Sequence, residues 1–453
     1  MAGSVVAEIE SRRPSYQAPI IAVSWLLLVH FCWAGSTQIG NFNYLQMPPA
    51  GQLYVLSNAF ELEEYYKRRN LRLSNKPLKE TCGRTLKRLK LPAPDNYIKY
   101  RCYFLREPSP LSFSLADGQI YISSGLLARL ENIDELAAVL AHEAHHIAAH
   151  HHLSANKSRH IAERSTQVGA AILGAFIPAG NVLPIMANEL ATQAVTSFDI
   201  DEEMEADRQA AQILARTHYD ADVLPQALFR AREEAASNTY GLRGVWSSYE
   251  QIDRRLAAIE QFLAEQEDDG REAPTQKEFL AEKVATLQPL VVDDYVRHGL
   301  PRAGVAFATS VLEKTSTALL LTTRGDAFIA LGPFPDLDPT PELAKKQSKA
   351  WKRLSRRDIH AQQLATEEGQ SFFQSHLAAA ANDYTAALSM DENLARAHRG
   401  LGVALKHQGQ FRQAARHLIR YLKLEPAALD RALVIEELEE IRFALTSQKK
   451  EAS

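Results

Sequence analysis

Residues 132–152 read NIDELAAVLAHEAHHIAAHHH, and their reading decides the rest. Asn132 followed by Glu135 has the form of a capping box, which opens a helix. Leu136, Val139, Leu140, Ala144 and Ile147 recur at helical spacing and predict a buried stripe. His142 and His146 are four residues apart, about 400° of helical turn, so they stack on one face. Two imidazoles so placed can hold one Zn²⁺, with Glu143 beside them to take a proton from the attacking water. The same pentapeptide on a helix with ordinary surface histidines would bind nothing, and a pattern this short recurs by chance. The decision rests on what surrounds it.

The chain has 453 residues, enough for two or three domains. Hydrophobic residues make up 46% and charged residues 23%, which fits a globular rather than a disordered chain. A net charge of −4 suggests no nucleic-acid partner. Seven of the 15 histidines fall between 142 and 160, a clustering that asks for a cause.

Residues 1–36 read as a targeting segment. Arg12 and Arg13 precede an apolar run from Ala18 to Ala34, broken only by Ser24 and His30. The run is short for a spanning helix and long for a signal-peptide core, so it is either a signal cleaved after Ala34 or an uncleaved anchor. Both place the bulk of the chain in an exported compartment. Cys82 and Cys102 are the cysteines left after such a segment. In an oxidising compartment they are a candidate disulfide; otherwise they are two small buried thiols.

Residues 58–90 are charged and helical in pattern, with Leu62, Tyr65, Tyr66, Leu71 and Leu73 at apolar spacing. Between Tyr97 and Leu105, Ile98, Tyr100, Cys102 and Phe104 share one face while Lys99 and Arg101 point the other way, which predicts a strand. Asp117-Gly118 signals a hairpin leading into a strand at Gln119–Ser123. That strand is either an edge able to pair with an extended peptide or an ordinary interior strand. Residues 165–188 carry no charge but hold three glycines and two prolines, 169, 174, 178, 180 and 184. They read as a buried helical hairpin close to the site, with a membrane-dipping segment as the alternative.

The acidic run Asp201-Glu-Glu-Met-Glu-Ala-Asp207 has the look of a solvated helix face. Its spacing says more, because Glu203 and Asp207 lie four apart on one helix face. Catalytic zinc takes three protein ligands and an open position, and two histidines with one glutamate form a standard set. Glu203 can supply the third ligand, and Asp207 can accept the free N–H of a zinc-bound histidine.

With both motifs in view, ADGQIYISSGLLARLENIDELAAVLAHEAHHIAAH at 116–150 and Glu203-Met-Glu-Ala-Asp207-Arg208 resemble the gluzincin family that includes the HtpX heat-shock protease and the CAAX prenyl protease. The resemblance covers residues 60–265. It implies one Zn²⁺ per chain held by His142, His146 and Glu203, with Glu143 as general base and Asp207 as supporting carboxylate. Two positions depart from the family pattern. His145 stands where Gly is usual, about 100° round the helix from His146, and reads as a bystander. Exported members carry S-x-H-P-x-x-x-x-R, whose histidine reaches the active site. Here Ser247 to Arg255 puts Tyr249 at that position and Glu250 at the proline. A neutral phenol with a pKa near 10 is a poor zinc ligand. Tyr249 is therefore either a hydrogen-bond donor to a developing oxyanion or a loop anchor packed on Trp246.

Residues 266–278 are polar, with Gly270 and Pro274, and read as a linker. Beyond them the chain is helical. In Ala395–Ala428, Leu401-Gly402, Leu405, Gly409, Phe411, Ala414, Leu418, Tyr421 and Pro426 fall at the spacings of a tetratricopeptide repeat, and Ala380, Tyr384 and Ala387 match half of a preceding one.

The expected fold is α+β and mainly helical. A zinc metallopeptidase domain with a small sheet (37–265) precedes an all-α tetratricopeptide-like domain (279–453). The expected activity is cleavage of misfolded or unassembled envelope proteins. The resemblance implies protein or peptide substrates and outer-membrane assembly proteins as partners of the repeats; the alternative is a catalytically silent chaperone. Membrane contact is expected only through the N-terminal segment or residues 165–188.

Overall fold

A computed structural model describes residues 71–92, 98–152, 198–217, 219–227, 249–265, 283–334 and 356–451, with residues 38–39, 42–43, 63–64, 66–68, 70 and 280. Residues 1–36, expected as a targeting segment, residues 165–188 and residues 266–278, expected as a linker, lie outside the described residues, as do Trp246 and the side chain of Tyr249. Among the described residues no helix is long and apolar enough to cross a membrane.

The first long helix, α1, is Lys76–Arg88, capped by the Asn75 side chain with Pro77 in its first turn. It is shorter than the 58–90 pattern suggested, because Leu71 and Leu73 run alongside the sheet: Leu73 N donates to Phe104 O at 2.8 Å. Three strands follow: β1 (Arg101–Leu105), β2 (Ser112–Ser114) and β3 (Gln119–Ser123). The predicted face of the first strand holds, since Ile98, Cys102 and Phe104 are buried in one core with Tyr100 packed against it. The Asp117-Gly118 signal also holds: β2 and β3 are antiparallel neighbours. Gly118 has φ +93°, and a Cβ there would lie 2.5 Å from Lys99 O, so only glycine fits.

The edge-strand reading of Gln119–Ser123 does not hold. Sheet order is β1-β3-β2, with β3 parallel to β1 on one side and antiparallel to β2 on the other. Every residue of β3 is buried, because both faces are covered. Ile120 and Ile122 enter the main core, while Tyr121 stacks with Phe113 and Tyr103 on the opposite face. Complete burial of each isoleucine contributes about 1.5–3 kcal/mol, and this places the strand at the centre.

Helix α2 (Ser124–Leu127) leads into α3 (Ile133–Ala148). Asn132 caps α3 by accepting from Glu135 N. The reciprocal half of the box is displaced by one residue: the Glu135 carboxylate accepts from Glu131 N, not Asn132 N. The expected apolar stripe becomes near-complete burial, with His142, His145 and Ala148 the only positions of α3 not fully buried. Helix α3 packs against α1, β2 and β3 and against α4 (Ile200–Arg216). Helix α5 (Tyr249–Glu265) lies on α4.

Among the described residues, a short 3-10 turn at Ala221–Val223 follows α4, and the helices after α5 are α6 (Gln288–Arg297), α7 (Pro301–Leu312), α8 (Ala318–Leu331), α9 (Arg356–Leu364), α10 (Glu367–Met390), α11 (Ala395–His407), α12 (Phe411–Leu424) and α13 (Arg431–Glu451). The main core runs without a break from Leu78 through α3 and α4 to Val291, Tyr295, Phe307 and Ala327. A bidentate Arg106–Asp294 pair ties α6 to the segment after β1. A second core gathers Ala380, Tyr384, Ala387, Leu401, Leu405, Ala414 and Leu418 with Val434 and Ile441. Among the described residues the molecule is mainly helical, as expected, with the small three-stranded sheet and a separate two-stranded pair, Gln38–Ile39 with Phe42–Asn43. Cys82 of α1 and Cys102 of β1 form a disulfide.

Candidate active site

Two helices build the site. Helix α3 contributes His142, Glu143 and His146; α4 contributes Glu203 and Asp207. The start of α4 is firmly specified, because Asp199 and Glu202 form a complete capping box. Asp201, Glu202 and Glu203 fill its first turn, where the helix dipole favours negative charge.

The side chains converge on one point. His142 Nε2 and His146 Nε2 are 3.1 Å apart. Glu203 places Oε2 3.4 Å from His142 Nε2 and Oε1 3.9 Å from His146 Nε2. Donors about 2.0–2.1 Å from a tetrahedral ion stand about 3.3 Å apart, so these three side chains, which bring one donor atom each within 4.8 Å of one another, suit a single zinc-sized cation. Asp207 Oδ1 lies 2.9 Å from His142 Nδ1. The ring is turned so that this is an ionic contact rather than an aligned hydrogen bond.

Electrostatics follow from the packing. Burial opposes protonation of His142, yet Asp207 and then Glu203 raise its pKa to about 10 in the metal-free protein. His146 is driven well below its ordinary value, first by burial and then by charged His142. Burial would raise Glu203 and Asp207, but Arg255 and His142 more than offset it and hold both below their ordinary carboxylate range. Burial raises Glu143, while His142 and the Ser112 hydroxyl work against it.

Sequence reading missed four contributors. Arg255 of α5 donates to both Asp207 oxygens, Nε at 2.8 Å and Nη2 at 2.9 Å, and its Nη1 lies 2.7 Å from Glu203 Oε2. It closes the quoted S-x-H-P-x-x-x-x-R stretch, which was the signal available for it. Ser112 of β2 donates to Glu143 Oε1 at 2.7 Å. Phe198 stacks on His146 with ring centroids 3.9 Å apart. His151 sets its Nδ1 2.9 Å from His146 Nδ1. A lone Ser, Phe or His at those positions carries no sequence signal. Tyr249 belongs to the first turn of α5 rather than to a loop. His145 sits off the axis of the metal pair as expected, but it is not idle: its Nε2 meets Glu205 Oε1 at 3.2 Å.

A two-helix site of this kind, beside a small sheet, defines a metallopeptidase class. Residues 72–279 match Peptidase family M48, a match that spans just under half of the chain. Curated relatives agree. The chain is 28% identical over 153 residues to the putative beta-barrel assembly-enhancing protease of Vibrio cholerae, covering 32% of this chain and 31% of that one. It is 25% identical over 195 residues to the beta-barrel assembly-enhancing protease of Escherichia coli, covering 41% and 40%. It is 36% identical over 69 residues to the mitochondrial metalloendopeptidase OMA1 of Schizosaccharomyces pombe, covering 15% and 20%. The aligned segments thus span two fifths or less of these relatives.

Proposed function

We propose that the protein is a zinc metalloendopeptidase of an exported compartment, acting on misfolded or unassembled envelope proteins. The observation that carries this reading is the convergence of one donor atom each from His142, His146 and Glu203 within 4.8 Å of one another, with buried Glu143 next in the chain to His142. His142, His146 and Glu203 would hold the zinc ion, which would supply Lewis acidity toward the peptide carbonyl and the attacking water. Glu143, oriented by Ser112, takes a proton from the attacking water and passes it to the leaving amine. Asp207 and Arg255 fix the geometry of His142 and Glu203. Substrate backbone has a place to pair along the outer side of β2, since Ser112–Ser114 has β3 on one side and, among the described residues, no strand on the other.

The second part of the reading concerns α10–α12. Tyr384, Leu401, Leu405, Ala414 and Leu418, the positions at repeat spacing, are buried together. This supports tetratricopeptide-like stacking in 279–453, with a surface for partner proteins such as outer-membrane assembly factors. The names of the Vibrio and Escherichia relatives support the envelope setting. A silent chaperone is the competing reading, and the intact donor set with its adjacent base argues against it.

The test is metal analysis combined with cleavage of unfolded protein. His142→Ala, His146→Ala and Glu203→Ala each lose zinc sharply. Glu143→Gln keeps zinc and loses about 10²–10⁴ in turnover. Normal turnover in that variant would overturn the mechanism, and full zinc in Glu203→Ala would remove it as the third ligand.

A further inference from the structure

A second group of metal-binding side chains lies behind the first. His145, His151 and Glu205 bring one donor atom each within 4.8 Å of one another. His145 Nε2 is 3.2 Å from Glu205 Oε1, and His151 Nε2 is 3.9 Å from Glu205 Oε2. The fold brings them there by separate routes. His145 is one position before the catalytic-face His146 on α3, and Glu205 projects from α4 between Glu203 and Asp207. His151 returns because His150 adopts φ +55°, which reverses the chain just after the helix. His151 is buried, while Glu205 is exposed and leaves the group open to solvent.

We propose that His145, His151 and Glu205 form a second site for a divalent transition ion, taken here as Zn²⁺. Two imidazoles and one carboxylate are the donors such an ion prefers, with a fourth position left to water. This goes beyond the catalytic reading, which uses neither His145 nor Glu205.

The site binds more weakly while the first is filled than while it is empty, and the reason is the bridge between them. His151 Nδ1 faces His146 Nδ1 at 2.9 Å. A neutral imidazole ligated through Nε2 carries its hydrogen on Nδ1. With zinc on His146 Nε2, the His146 Nδ1–H donates to His151 Nδ1, a sound hydrogen bond. A second ion on His151 Nε2 places N–H against N–H across that contact. Each ion therefore weakens the other, and the coupling is reciprocal, about 5–150-fold for couplings of ordinary size.

The experiment titrates zinc into the metal-free full chain against a chromophoric chelator. Wild type takes up two equivalents, and its second site binds about 5–150-fold more weakly than the same site does in His142→Ala, where the first site is empty. The double variant His145→Ala/Glu205→Gln takes up one, and its retained tight equivalent shows that the fold is intact. His142→Ala loses the tight equivalent and keeps a second-site equivalent, so failure of the catalytic assignment is seen apart from failure of this one. A wild-type chain that binds only one equivalent overturns the proposal. So does a double variant that still binds two, since the weaker ion then sits elsewhere.

Discussion

Arg255→Leu is the most informative change to the scaffold of the site. Arg255 is the shared partner of two carboxylates, buried Asp207 and half-buried Glu203, at 2.7–2.9 Å, and only 11% of its side chain is exposed. Leucine fills most of the volume but strands two negative charges beside a single His142 cation. Breaking a buried ionic group from one side costs about 3–5 kcal/mol. At about 2–4 °C per kcal/mol for a domain of this size, the metal-free variant should melt roughly 6–20 °C lower. Zinc brings its own positive charge to Glu203, so the loss should shrink in the zinc-loaded variant. The pH dependence has a definite sign. Both carboxylates are held below their ordinary values of 3.8 and 4.5. The stability they confer is therefore complete above those values and fades as pH falls toward the depressed ones. The gap between wild type and variant should accordingly be full at neutral pH and close in acid. Arg255→Lys keeps the charge but loses the fork, and should fall between. Calorimetry of chelator-treated and zinc-loaded protein decides. A shift under about 2 °C without metal, which is less than about 1 kcal/mol, or an equal shift with and without zinc, refutes the reasoning.

Three further outcomes are expected. Ser112→Ala removes a donor to the Glu143 carboxylate, so the Glu143 pKa rises; because Glu143 acts ionised, the acid limb of kcat/KM should move to higher pH, and an unmoved limb would show that Ser112 does not tune the base. Cys82 and Cys102, 20 residues apart, close a loop worth roughly 3 kcal/mol by chain entropy; the double alanine variant should lose about that in denaturant unfolding, and free thiols at both positions by mass spectrometry of protein from its native compartment would contradict the pairing. Tyr249→Phe should lower kcat by an amount equivalent to about 2.7–4 kcal/mol if the hydroxyl serves the oxyanion; unchanged kcat leaves only packing, and a fully active Tyr249→His would show that this turn of α5 does not reach the metal.

The parts of this fold that were legible in the sequence are those in which one helix carries its own instructions. Asn132 and the apolar spacing define α3, and the i, i+4 pairs His142/His146 and Glu203/Asp207 each state a face before any neighbour is known. What pairs of elements decide was not legible. Alternation along Gln119–Ser123 shows which side chains share a face, but a strand with one neighbour and a strand with two have the same alternation. Only the parallel docking of β1 against it, a contact across intervening chain, makes β3 central and leaves β2 at the margin. The same limit explains His145. Its place about 100° from His146 correctly removed it from the axis of the metal pair, and on α3 alone it has nothing to do. Its partner Glu205 sits in an acidic run whose neighbours had already been given roles, and His151 arrives only through a left-handed residue at His150. Helical period locates a side chain on its own cylinder. Whether it meets a second donor depends on how the next cylinder is rotated, and that is set by the small residues Ala206, Ala210 and Ala211, which are buried to 0–1% and let α4 press its acidic face against the histidines.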